Sequence, residues 1–205
     1  MLARAAGVPP SFVGRVFTGA ARPSIETYAK LATALGADLS ARVYPNTGPT
    51  IRDRHQARIL EAVLESAHPR WRRFTEVAVR QPARGWIDLA LHQERERVLV
   101  ACEIESMLNR IEQLVRWSSE KAESLPSSTL WASLREPPEV SRLLVVRWTR
   151  TNRASAREAA RQLRIAYPAH PDDALESLAG TLPWPGPALV WAREGQHAYA
   201  LVDGR

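Results

Sequence analysis

A mixed α/β (α+β) fold with a small all-α unit at its N-terminus follows from three features of this chain. Residues 2–44 hold three short helix-compatible segments punctuated by Gly and Pro. Pro45-Asn46-Thr47-Gly48-Pro49 is a turn-rich joint and a natural boundary. Beyond it, apolar residues switch between three-four spacing and strand-like runs, in the order helix, strand, strand, strand, helix, strand, helix. The expected divisions are a helical subdomain over 1–44, a linker over 45–54 and an α/β domain over 55–205.

Each N-terminal segment has its own local cause. Ala3, Ala5 and Ala6 favour helix, and Gly7 can take the positive φ that ends it. Pro9 and Pro10 suit a first helical turn, so Ser11 to Phe17 form a second helix with Gly19 placed to stop it. Ser24 is a ready N-cap for a third, in which Ile25, Tyr28, Leu31, Ala32 and Leu35 trace an inward apolar stripe.

These pieces resemble the phage-repressor-like (xenobiotic-response-element type) helix-turn-helix family. The residues that carry the resemblance are Leu2-Ala-Arg-Ala-Ala-Gly-Val8, the Pro9–Gly19 segment, Arg22-Pro23-Ser24, and the closing Leu31-Ala32-Thr33-Ala34-Leu35-Gly36. The resemblance implies binding to double-stranded DNA, with the second helix in the major groove, and dimers that match two half-sites. The family usually carries polar residues where this chain has Pro9-Pro10, which leaves Ser11, Arg15, Thr18 and Arg22 as the expected DNA contacts. The family's first helix has no counterpart here. The subdomain is therefore expected to be truncated, by a start upstream of Met1 or by reduction to a helical cap.

In the second domain, Ile59, Leu60, Val63, Leu64 and Ala67 form one helical stripe ended by His68-Pro69. Strands are expected at 74–79, 86–91 and 98–102, the first two joined by the turn Gln81-Pro-Ala-Arg-Gly85. A helix from Met107 to about Glu123 follows, then a loop over 126–138 and a strand over 143–148. Ala156, Ala159, Ala160 and Leu163 mark another helix, and 188–191 with 197–202 form a closing hairpin.

That order is similar to the restriction-endonuclease-like PD-(D/E)XK core. It is similar also to a set of actinobacterial-type regulators that join such a domain to this helix-turn-helix. Their pattern is met by Glu76, Trp86-Ile-Asp88, Glu103-Ile-Glu105-Ser106, Lys121 and Thr149-Arg-Thr-Asn152-Arg153. The resemblance implies Asp88 and Glu103 as metal ligands, Glu76 as a further carboxylate, and Mg2+ as the ion for an all-oxygen site. Lys121 stands as a migrated substitute for the lysine expected at position 105, where this chain has glutamate. Strand alternation alone puts Glu103 and Glu105 on one face and Cys102 and Ile104 on the other. If the helix starts at Met107, Lys121 lies about 21 Å along it, too far to help, and cleavage is expected to be absent or weak. The plainer alternative leaves these acids solvated, or paired with Arg84 or Arg110. Thr149, Asn152 and Arg153 read more simply as a helix start, and Trp71, Trp117, Trp148 and Trp191 as core.

Composition bounds the remainder. With 45% hydrophobic residues among 205, the chain can bury a proper core. A net charge of +6 suits an anionic partner, although 26 of the 28 basic residues are arginine, a bias that codon usage alone can produce. A single cysteine, Cys102, excludes an internal disulfide and fits a reducing cytoplasm. The longest uncharged run, 177–192, carries prolines and is too short to cross a bilayer, so no membrane partner is expected. The reading is a cytoplasmic, dimeric, bacterial-type DNA-binding regulator whose nuclease-like domain does not cut. Its rivals are a magnesium-dependent endonuclease of a phage-defence or toxin–antitoxin system, and an interaction module that only dimerises.

Overall fold

The structure is a computed structural model that describes residues 2–18, 20–37, 39, 54–196 and 198–204. Contacts divide the chain into Met1–Pro45 and Asn46–Arg205. The expected linker over 45–54 lies, up to residue 53, outside the described residues, as does Gly19.

Among its described residues the N-terminal unit has three helices: α1 (Leu2–Ala5), α2 (Pro10–Phe17) and α3 (Ile25–Ala34). Gly7 takes φ 66° between α1 and α2. Pro10 occupies the first turn of α2, where a missing N–H costs nothing. Ser24 caps α3 by accepting from Thr27 N at 3.3 Å. The apolar stripe of α3 is not the inward face expected of it. Leu31 is 8% exposed, but Ile25 is 70%, Tyr28 45% and Leu35 66% exposed. Among the described residues, the helix packed on α3 is α1, which at four residues, about one helical turn, is too short to cover a stripe running from 25 to 35.

The larger unit opens with α4 (Arg54–Ser66), then β1 (Arg72–Val79), β2 (Gly85–Gln93) and β3 (Val98–Glu105). After α5 (Ile111–Glu123) come a 3-10 turn (Leu125–Ser127), α6 (Thr129–Ala132) and β4 (Glu139–Arg147). The chain closes through α7 (Arg150–Glu158), α8 (Ala160–Ala166), α9 (Pro171–Ala179), β5 (Ala188–Glu194) and β6 (Tyr199–Val202). The strands form one six-stranded sheet in sequence order. β1, β2 and β3 are antiparallel neighbours, β3, β4 and β5 run parallel, and β6 returns antiparallel.

The sheet is covered on both sides, which is why β3 and β4 read as continuous apolar runs. One face packs Leu89, Val100, Cys102, Ile104, Leu143 and Val145 against Ile59 and Val63 of α4 and Leu178 of α9. On the other, Leu99 and Ala101 meet Ala122 of α5, while Leu144 and Val146 meet Leu114 of α5 and Leu163 of α8.

Four boundaries differ from the sequence reading. β3 continues to Glu105, so both glutamates lie on the strand itself. α5 begins at Ile111 rather than Met107, after a Ser106–Arg110 loop in which Arg110 takes φ 48°. The stretch expected as pure loop holds the 3-10 turn and α6, whose Ser128 cap accepts from Trp131 N at 3.1 Å. The helix expected around 156–163 is two helices broken at Ala159, and α9 has no counterpart in the sequence reading, although Pro171 at its start and Gly180 at its end are ordinary signals.

Candidate functional site

Within the N-terminal unit, Ser11, Arg15 and Thr18 recur at spacings of four and three, on one face of α2 and its C-cap. All three are exposed, as is Arg22 in the connection to α3. Thr18 Oγ1 donates to Gly14 O at 3.1 Å and Arg15 O at 3.2 Å, which holds its hydroxyl against the end of the helix. The Arg15 guanidinium lies 5.8 Å from the centre of the Phe12 ring. α2 contains no acidic residue, so the face presents positive charge and hydroxyls to an approaching anion.

In the larger unit the chemistry gathers on β2, β3 and α5. The β2–β3 ladder is registered Leu89 with Cys102. One further step sets Asp88 opposite Glu103. There the backbone pairing gives way to the side chain, and Ile104 N donates to Asp88 Oδ2 at 2.9 Å. Cys102 and Ile104 point into the α4 side of the core, while Glu103 turns to the α5 side.

Lys121 Nζ sits 2.8 Å from Glu103 Oε2, with both side chains buried. This corrects the expectation that Lys121 lies too far along its helix. The loop 106–110 delays α5 until Ile111, so ten residues, about 15 Å of rise, separate Lys121 from the helix start. The pairing with Arg84 or Arg110 considered for these acids is not what Glu103 does.

Glu103 is 5% exposed, and its Oε1 is sealed from water with no hydrogen-bond partner among the described residues. Burial pushes its carboxyl up to about 8; Lys121 opposes that rise, and the neighbouring charges of Asp88 and Glu105 add to it. Burial thus favours the protonated form of this carboxyl, against the pull of Lys121. Glu76, expected as a further ligand, is exposed on β1 with φ 54°. Among the described residues, no three His, Cys, Asp or Glu side chains gather closely enough to hold a metal ion.

Two residues position the end of β3: Asn152, whose role differs from the one expected, and Gln56, which the sequence reading did not name. Asn152 is neither an N-cap nor an outward-facing group: it is 1% exposed and clamps the loop after β3. Its Oδ1 accepts from Leu108 N at 2.9 Å, and its Nδ2 donates to Ser106 O at 3.0 Å and Arg147 O at 2.8 Å. Thr149 supplies the cap of α7, accepting from Asn152 N at 3.0 Å. Gln56 Nε2 on α4 donates to Ile104 O at 3.0 Å, between the two glutamates. The sequence reading put the helix cap at Asn152; Thr149 holds it instead, and the asparagine turns inward.

Trp71 and Trp191 are core residues, as expected, while Trp117 and Trp148 are half-buried. Trp148 lies edge-on to Trp191 at 5.4 Å, with Arg153 4.7 Å and Arg193 4.9 Å from its ring. Cys102 is fully buried, and burial drives its thiol well above the usual range, so it serves as packing.

Among known protein families, a helix-turn-helix model matches residues 1–41. No curated protein and no solved structure matches the chain. The N-terminal unit is thus a helix-turn-helix of DNA-binding type, and the larger unit is a mixed α/β domain on a six-stranded sheet. Among the described residues, no helix is long and apolar enough to cross a membrane.

Proposed function

We propose that the protein is a homodimeric DNA-binding transcriptional regulator whose α/β domain is built like a nuclease core but does not cut. The helix-turn-helix match at residues 1–41 carries the first half of this reading. Ser11, Arg15, Thr18 and Arg22 are the contacts to duplex DNA, with Arg15 reaching the groove and phosphate charge supplying most of the affinity. Removing one phosphate-binding side chain lowers the salt slope of binding by about one. Binding of promoter fragments at two salt concentrations tests this: Arg15→Ala should weaken binding and flatten the slope. Unchanged affinity and slope would sink the assignment of α2 as the reading helix.

The surroundings of Glu103 support the silent state of the α/β domain. Burial disfavours charge on the acid that would have to hold a cation, and Lys121 already occupies its Oε2. Glu105 adds negative charge beside it, where hydrolysis of a phosphodiester calls for positive charge.

One observation favours a second reading, a magnesium-dependent endonuclease: Lys121 stands within hydrogen-bonding reach of Glu103. Asp88 and Glu103 fit Mg2+, which is commonly held by one or two carboxylates and keeps several waters. The partnerless Oε1 of Glu103 is the donor such an ion would take. Held by these two carboxylates, such an ion would supply Lewis-acid charge and lower the pKa of a bound water. Lys121 would then release Glu103 and place its ammonium beside the scissile phosphate, while Asn152 and Gln56 hold the strand end and loop in place. Supercoiled plasmid with Mg2+ separates the readings. Intact plasmid from about pH 6 to pH 9 fits the regulator; nicking abolished in both Asp88→Asn and Lys121→Met establishes the enzyme.

A further inference from the structure

The hairpin between β2 and β3 encloses a second feature, at the end of these strands remote from Asp88 and Glu103. From Asp88 to His92 the rise along β2 is about 13 Å at about 3.3 Å per residue. A recessed cavity of about 260 Å³ opens there, with four arginines in its wall: Arg72 on β1, Arg95 and Arg97 in the hairpin, and Arg135 before β4. Glu94 and Glu136 also line it, which leaves two positive charges in excess. Arg97 pairs with Glu136 at 3.2 Å. Arg72, Arg95 and Arg135 have no ion pair among the described residues; Arg72 lies 5.3 Å from the Phe74 ring.

The floor of the cavity includes His92, directly across the β1–β2 ladder from Arg72. It is 4% exposed, and its Nδ1 is sealed in without a hydrogen-bond partner among the described residues. A buried, unpaired imidazole under uncompensated guanidinium groups is costly unless something completes it. Burial and the Arg72 charge hold its pKa below the ordinary histidine value, with Glu94 opposing. Arg97 adds backbone strain, at φ 53° in the hairpin turn.

An anion with several acceptor oxygens answers both the partnerless imidazole and the excess guanidinium charge. Guanidinium groups fork onto phosphoryl oxygens in two-point contacts, and a protonated His92 would donate from beneath. The volume lies just below the usual range for whole small-molecule pockets, so it takes one phosphoryl group and little beyond. We propose that this cavity binds a phosphoryl group, and its recessed shape favours the terminal phosphate of a small molecule over the backbone of a duplex.

The test is titration of the full chain with inorganic phosphate at constant ionic strength, followed by NMR of the His92 ring, identified through His92→Gln. Saturable shifts are expected, with the His92 pKa rising on binding. Arg72→Ala and Arg135→Ala should each weaken binding by about tenfold, the worth of one charged hydrogen bond, while Arg116→Ala on α5 changes nothing. A parallel arm uses a short DNA duplex. If the duplex leaves the ring signals untouched while phosphate saturates them, the ligand is a small phosphorylated molecule. If the duplex moves them and phosphate competes, the phosphoryl group belongs to DNA. A linear response to phosphate, identical in all variants and without a duplex effect, overturns the site.

Discussion

Glutamine at position 103 offers the most exacting test of the buried pair. Between the ordinary carboxylate value of 4.5 and about 8, folded wild type holds a proton on Glu103 that the unfolded chain has released. The folded pKa is the raised one, so this contribution to stability is complete below pH 4.5 and lost as pH rises through about 8. One proton corresponds to about 1.4 kcal/mol per pH unit, so the window carries about 5 kcal/mol. Glu103→Gln keeps the shape and removes the proton. Lys121 then faces an amide, which shifts the variant's absolute stability, so the test rests on slope. All seven tryptophans lie between residues 71 and 191, so fluorescence-detected urea denaturation reports on the larger unit. Measured from about pH 5 to pH 8, the stability of the variant minus that of wild type should climb by about 3 to 4 kcal/mol. Parallel curves would refute the claim that Glu103 is buried with its proton.

Further outcomes follow from the same geometry. Mg2+ should raise the Tm of wild type, and more at about pH 9 than at about pH 6, because a cation must displace the Glu103 proton; Asp88→Asn and Glu103→Gln should each abolish the rise, and a melting curve indifferent to Mg2+ removes the ion from this centre. Asn152→Ala strips partners from Leu108 N, Ser106 O and Arg147 O, and should cost about 3 kcal/mol by urea denaturation. Amide exchange at Leu108 should accelerate in the same variant, and unchanged protection there would contradict the clamp.

Much of the larger domain was legible because its strands are short, strongly apolar and separated by Pro- and Gly-rich turns. Leu143 to Val146 could hardly be anything but a buried strand. Alternation was enough to set Glu103 and Glu105 apart from Cys102 and Ile104. What failed was distance. The start of α5 depends on Asn152, some forty residues later in the chain, holding Ser106 and Leu108 in a loop. Local periodicity from Met107 onward carries no trace of that bond, and a four-residue error at the helix start moved Lys121 from remote to adjacent. The α3 stripe failed for a related reason: spacing identifies an apolar face, but not whether a partner large enough to cover it exists.

Glu76 has a consequence of its own, unrelated to metals. β1 is the outermost strand of the sheet, and an open edge of unpaired N–H and C=O groups invites a strand from another molecule. The ladder to β2 is registered at Thr75 and again at Val77, with Glu76 between them in the left-handed region at φ 54°. That single residue breaks the flat run of amides, and Arg72, Arg73 and Arg80 place like charges along the same margin. Two such edges meeting head-on would oppose arginine to arginine across a kink. A glycine at position 76 would adopt the same angle without its charge, and a valine would straighten the strand; of the two, valine should be the variant that makes the protein self-associate through its sheet.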